Sequence, residues 1–96
     1  MATFIVLANF TDQGINNIQD STERLGSFKE MAAKLGVTLK SVYYTVGDYD
    51  IIAVVEGSDE GVTAALLKLG SLGNVRTRTL RAFSPEEFKT IVSRVL

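Results

Sequence analysis

The chemically useful side chains of this sequence fall in two places: a phenol beside a carboxylate, and a guanidinium much later. Tyr49 and Asp50 follow Gly47-Asp48 and immediately precede an apolar run. Tyr49 could donate a hydrogen bond to an oxyanion or enolate, or its ring could simply pack while the hydroxyl finds a backbone partner. Asp50 could act as a general base if burial raised its pKa, or it could hold the start of a strand. Arg81 is the best candidate for gripping an acid, because its planar fork binds carboxylate or phosphate bidentately. An ion pair with Asp50 or Glu56 is the competing role. Asn9, Tyr43 and Thr79 could complete a site for a small acidic organic ligand with these three.

The residue types that are missing narrow the chemistry further. Cysteine and histidine are both absent. That excludes disulfides, thiolate nucleophiles, a Ser-His-Asp triad, an axial His for haem and the commonest zinc, copper and non-haem iron ligation. No cofactor and no metal are expected. With a formal net charge of −1, the chain as a whole has no electrostatic attraction to nucleic acid or anionic membranes. Arg76, Arg78 and Arg81 do crowd one stretch. They read as a solvated edge strand protected from aggregation, or as an anion site. The opening run MATFIVLANF lacks a basic leader and is too short to span a membrane, so a cytoplasmic protein is expected.

Periodicity shows which elements must position those side chains. Thr3 to Phe10 is nearly continuous in apolar residues, which suits a strand buried on both faces. A polar loop, Thr11-Asp12-Gln13-Gly14, and a turn of helix at Ile15 and Ile18 follow. Asp20 and Glu23 have the spacing of a helix start, and Leu25, Phe28, Met31, Ala32 and Leu35 form one stripe that ends at Gly36. Leu39 to Val46 alternates, with Ser41, Tyr43 and Thr45 on one face. A short turn at Gly47-Asp48 leads into a second buried strand, Ile51 to Val55. Ser58 caps a helix with Val62, Ala65, Leu66 and Leu69 inward. Val75 to Phe83 is the last strand. Ser84-Pro85-Glu86-Glu87 then opens a C-terminal helix whose apolar face is Phe88, Ile91, Val92 and Val95.

With 96 residues, the chain has room for one domain, residues 1–96. The order β-α-β-β-α-β plus a helix predicts an α+β, ferredoxin-like fold with a four-stranded antiparallel sheet. Helices on one face leave the other bare. Covering about 500 Å² of it would be worth about 12 kcal/mol before entropy. A second copy packed sheet to sheet is the simplest cover, and the C-terminal helix folding back is the alternative. If Ser41, Tyr43 and Thr45 face away from the helices, then Thr77, Thr79 and Arg81 are expected beside them, with Ile5, Leu7 and Asn9. A polar-rimmed apolar face of this kind suits either a ligand pocket or an ordinary interface.

The segment Val46-Gly47-Asp48-Tyr49-Asp50, followed by Ile51-Ile52-Ala53-Val54-Val55-Glu56, resembles the signature of the GYD-domain family. The likeness extends through Thr11-Asp12-Gln13-Gly14, Lys34-Leu35-Gly36, Gly73-Asn74-Val75-Arg76-Thr77 and Thr79-Leu80-Arg81-Ala82-Phe83. Tyr44 stands where some relatives carry Trp. The resemblance implies a small dimeric α/β-barrel protein, a grouping that holds cofactor-free oxygenases, isomerases, decarboxylases and ligand-sensing domains but fixes no reaction. The expectation is a homodimer or higher oligomer binding a small acidic ligand. A cofactor-independent isomerase or oxygenase, and an interaction module without a small-molecule site, are the alternatives.

Overall fold

The two continuous apolar runs become the centre of the sheet. In the computed structural model, which describes residues 1–95, β1 (Ala2–Phe10) and β3 (Ile51–Gly57) pair antiparallel from Ala2↔Gly57 to Ala8↔Ile51. β2 (Thr38–Tyr44) adds to β3, and β4 (Val75–Ala82) adds to β1, both antiparallel, so the order is β2-β3-β1-β4. The chain is therefore α+β with one four-stranded antiparallel sheet.

Among the described residues four helices accompany the sheet: α1 (Asp12–Asn16), α2 (Ser21–Lys34), α3 (Asp59–Ser71) and α4 (Pro85–Val92), with a 3₁₀ turn at Ile18–Asp20 ahead of α2. The polar loop expected after β1 is largely α1, because the Thr11 hydroxyl accepts the Gly14 N–H and caps it. Asp20 stands at the N-cap position of α2 but makes no side-chain cap, since the 3₁₀ turn runs directly into the helix.

Core packing defines the two faces of the sheet. Val6, Ala53 and Val55 meet Ala32 of α2 and Val62 and Ala65 of α3, with Phe4, Phe28, Leu39 and Val42 around them. A register shift between Leu39 and Ser41 turns Leu39 to this side along with Val42 and Tyr44. Residues opposite one another in an antiparallel pair share a face. The bare face therefore carries Ile5, Leu7 and Asn9, with Ile52 and Val54, Ser41 and Tyr43, and Arg76, Arg78 and Leu80.

α4 does not fold back. It makes no more than marginal contact with any other described element, although Ser84 and Glu87 close a full capping box around Pro85. The radius of gyration, 14.6 Å, exceeds the roughly 12.5 Å expected for a compact chain of this length, and the longest extent is 52 Å. A helix this short is marginal by itself, so its cap matters. The Ser84 backbone N–H, and then the Ser84 side chain, hold the Glu87 carboxyl below its ordinary value. A depressed carboxylate pKa stabilises the fold above the unfolded value and loses that effect as pH falls through the folded one. Amide shifts of residues 84–92 should therefore move toward coil values as pH is lowered below 4.5, while those of β1 stay fixed. A titration that moved both together would refute a local effect.

Candidate functional site

The six-residue connection between β2 and β3 is longer than the two-residue turn expected, and hydrogen bonds tie it to the end of β1. The Asp50 N–H donates to the Ala8 carbonyl at 2.9 Å, and the Asp50 carboxylate accepts the Phe10 N–H at 2.9 Å. Backbone pairing of β1 with β3 stops at Ala8↔Ile51. Asp50 thus supplies with its side chain the acceptor that the missing strand residue would have given. Asn9 donates through its side-chain amide to the Asp48 carbonyl at 2.9 Å, and the Thr45 hydroxyl donates to the Tyr49 carbonyl. Gly47 has φ 139°, a conformation that only glycine adopts cheaply. These contacts make the Gly47–Asp50 signature a clamp between a loop and a central strand.

A second clamp joins two other segments singled out by the sequence. Thr11 donates its N–H to the Asn74 carbonyl at 3.0 Å and its hydroxyl to the Gly73 carbonyl. The Gln13 amide donates to the Leu72 carbonyl and to the Asn74 side chain, both at 2.9 Å. The Thr11–Gly14 motif therefore fastens the turn that delivers β4 to the sheet.

Arg81 lies elsewhere. It pairs with Phe4, five positions along β1 from Asn9, which is about 17 Å at ordinary strand rise. Its guanidinium sits 4.4 Å from the Phe83 ring centroid and 5.4 Å from that of Phe4. It donates to the carbonyls of Thr3 and Ala82. The expected sharing of a face is corrected here: Thr77, Thr79 and Arg81 lie on the helix-facing side, and Asn9 and Tyr43 lie on the bare side. Of the six candidate residues, Asn9, Tyr43, Tyr49 and Asp50 gather at one end of the sheet. Thr79 and Arg81 do not join them, so the structure does not assemble the acid-binding constellation around Arg81. Nor does Arg81 pair with Asp50, whose carboxylate is engaged with Phe10. Glu56 instead meets Lys40 at 3.8 Å.

What the structure does assemble is a surface. Ile5, Leu7, Ile52 and Val54 form a half-buried apolar band across the two central strands, extended by Leu80 (52% exposed) and Tyr43 (65% exposed) on the edges. Arg76, Arg78, Asn9 and Ser41 give it polar margins. On α4, Phe88, Ile91 and Val92 are exposed on one helical stripe, and Val95 is exposed just beyond the end of the helix. Leu80 was missing from the sequence-based site, and Arg76 and Arg78 entered the sequence reading only with Arg81, as a solvated edge strand or an anion site. Val75 and Leu80 have opposite parity in β4, so no local pattern chooses between its two faces.

An α+β chain of this size, with one clad and one bare sheet face, matches known proteins in both sequence and fold. Residues 4–92 match the GYD domain family, and the chain belongs to that family. Among its relatives is a Thermus thermophilus protein described as a glutamine synthetase and cystathionine beta-lyase binding protein. The two are 39% identical over 84 residues, covering 85% of this chain and 88% of the relative. A crystal structure of a Thermus thermophilus protein superposes with TM-score 0.53 at 28% identity, over 88% of this chain and 95% of that one. A hypothetical protein from Pyrococcus horikoshii shares the fold, with TM-score 0.54, 21% identity and coverage of 88% and 92%. No described helix is long and apolar enough to cross a membrane.

Proposed function

We propose that this protein is a homodimeric interaction module of ferredoxin-like, α/β-barrel type, which uses its sheet to pair with a second copy and α4 to engage an enzyme. The observation that carries the reading is the pair of uncovered apolar surfaces, the bare sheet face and the α4 stripe. A soluble monomer rarely leaves such contiguous patches wet. The sheet face suits a second copy because an isologous contact buries the same band twice, and a standard interface takes about 800 Å² per partner. The α4 stripe suits a groove on another protein, the helix-in-groove mode with Phe88, Ile91 and Val92 as anchors at i, i+3 and i+4. An enzyme as that partner is supported by the Thermus relative, described as binding glutamine synthetase and cystathionine beta-lyase.

Calorimetry with purified glutamine synthetase and cystathionine beta-lyase from the same organism as this chain tests the second half of the reading. Phe88→Asp should weaken binding to the cognate enzyme at least tenfold and leave the dimer intact. A variant that binds as tightly as the unchanged protein would remove α4 from the interface. Absence of binding to either enzyme would remove the enzyme partner.

A further inference from the structure

α2 and α3 touch at one end of the sheet and part at the other. Where they touch, Ala32 and Ala65 are fully buried. Toward the N-terminal end of α2 and the C-terminal end of α3, Leu25 and Phe28 face Leu66 and Leu69 across a gap. The sheet beneath does not fill that gap, because the central strands present Ala8 and Ala53 there. The result is a cleft of about 570 Å³ on the helix-facing side, distinct from the bare face and from α4. That volume falls in the range of sites for drug-sized molecules.

Its chemistry narrows the occupant. The floor and walls are overwhelmingly aliphatic and aromatic, which calls for an apolar body. Ser21 is 8% exposed and its hydroxyl lies 3.0 Å from that of Tyr44, both lining the cleft. Of the two O–H groups only one is used between them, so the pair retains one donor and several acceptor lone pairs. The charged side chains of the rim are Asp20, Glu23 and Arg24. The Arg24 guanidinium is already directed at the backbone carbonyls of Asn17 (2.7 Å) and Gly14 (3.5 Å). Two carboxylates against one engaged guanidinium disfavour an anionic head group.

We infer that this cleft is a binding site for an uncharged amphiphile, a drug-sized apolar body with one hydrogen-bonding end held by the Ser21–Tyr44 hydroxyl pair. The site is independent of the two interaction surfaces and stands or falls separately from them.

N-Phenyl-1-naphthylamine is a suitable probe, being neutral, aromatic and equipped with a single N–H. Saturable fluorescence enhancement is expected, with intermolecular NOEs from the bound probe to the methyl groups of Ala8, Ala53 and Leu69 in the unchanged protein. Leu69→Trp, which fills the wall, should weaken binding at least tenfold, while Leu67→Lys, at an exposed position of α3 outside the cleft, should leave it unchanged. 8-Anilinonaphthalene-1-sulfonate, the same skeleton with an anionic group, should bind at least tenfold more weakly than the neutral probe. NOEs to Ile5, Leu7 and Val54 instead, or no saturable binding, would overturn the site. Equal or tighter binding of the sulfonate would overturn the neutral head group.

Discussion

Leu7→Lys should convert a dimer into a folded monomer, read by sedimentation velocity at micromolar concentration. Leu7 stands on β1 between Ile52 and Arg78 on the bare face, the middle of the apolar band. In a two-fold contact each copy brings the same lysine, so two ammonium groups are set against an apolar surface. Unpaired burial of even one such group is strongly unfavourable. About 2 kcal/mol for each, after the side chains bend toward the rim, amounts to roughly a thousandfold in Kd. In the monomer the same lysine faces water and the helix-side core is untouched, so circular dichroism should not change. The neighbouring Arg78 adds like-charge repulsion in the same direction. An unchanged protein that already sediments as a monomer, or a variant that remains dimeric, would refute pairing through this face.

Gly14→Ala should cost more stability than its single added methyl suggests. A Cβ at Gly14 would lie 2.0 Å from the Asn74 carbonyl oxygen and 3.0 Å from its carbon. The obstacle is backbone, and that same carbonyl accepts the Thr11 N–H. Relief therefore requires parting α1 from the turn before β4, with loss of the Thr11 and Gln13 hydrogen bonds. Overpacking of this kind costs about 3 kcal/mol at its upper end. For a domain of this size that is about 15 °C in Tm. Gly26→Ala is the matched control: it lies exposed within α2, and a Cβ there meets nothing within 4 Å. It should raise stability by up to about 1 kcal/mol through helix propensity alone. Equal Tm values for the two variants would show that the Gly14 contact yields freely.

The contrast between these glycines illustrates what a sequence can convey. Gly14 reads as part of a polar loop, and nothing local reveals that the turn at Asn74, far along the chain, presses against it. The same holds for Asp50. Its place ahead of an apolar run is compatible with a base or with a strand start, and only the approach of Phe10 from β1 gives its carboxylate a backbone N–H to accept.

The positions of α2, α3 and α4, the two central strands and the capping box at Ser84 were legible in the sequence because each rests on contacts within a few residues. A 3.6-residue stripe, a continuous apolar run or a Ser-Pro-Glu-Glu start carries its own physical cause. The absence of His and Cys likewise bounded the chemistry before any fold was known. Tertiary structure alone decided which face of β4 looks outward, because Val75 and Leu80 pull in opposite directions and only the register with β1 breaks the tie. It also placed Arg81 between Phe4 and Phe83 on the far side of the sheet from Asn9, separating a site that strand parity had joined. The small residues Ala8 and Ala53 are ordinary in a strand. They open a cleft only because α2 and α3 diverge above them, and that geometry is a property of packing between distant segments.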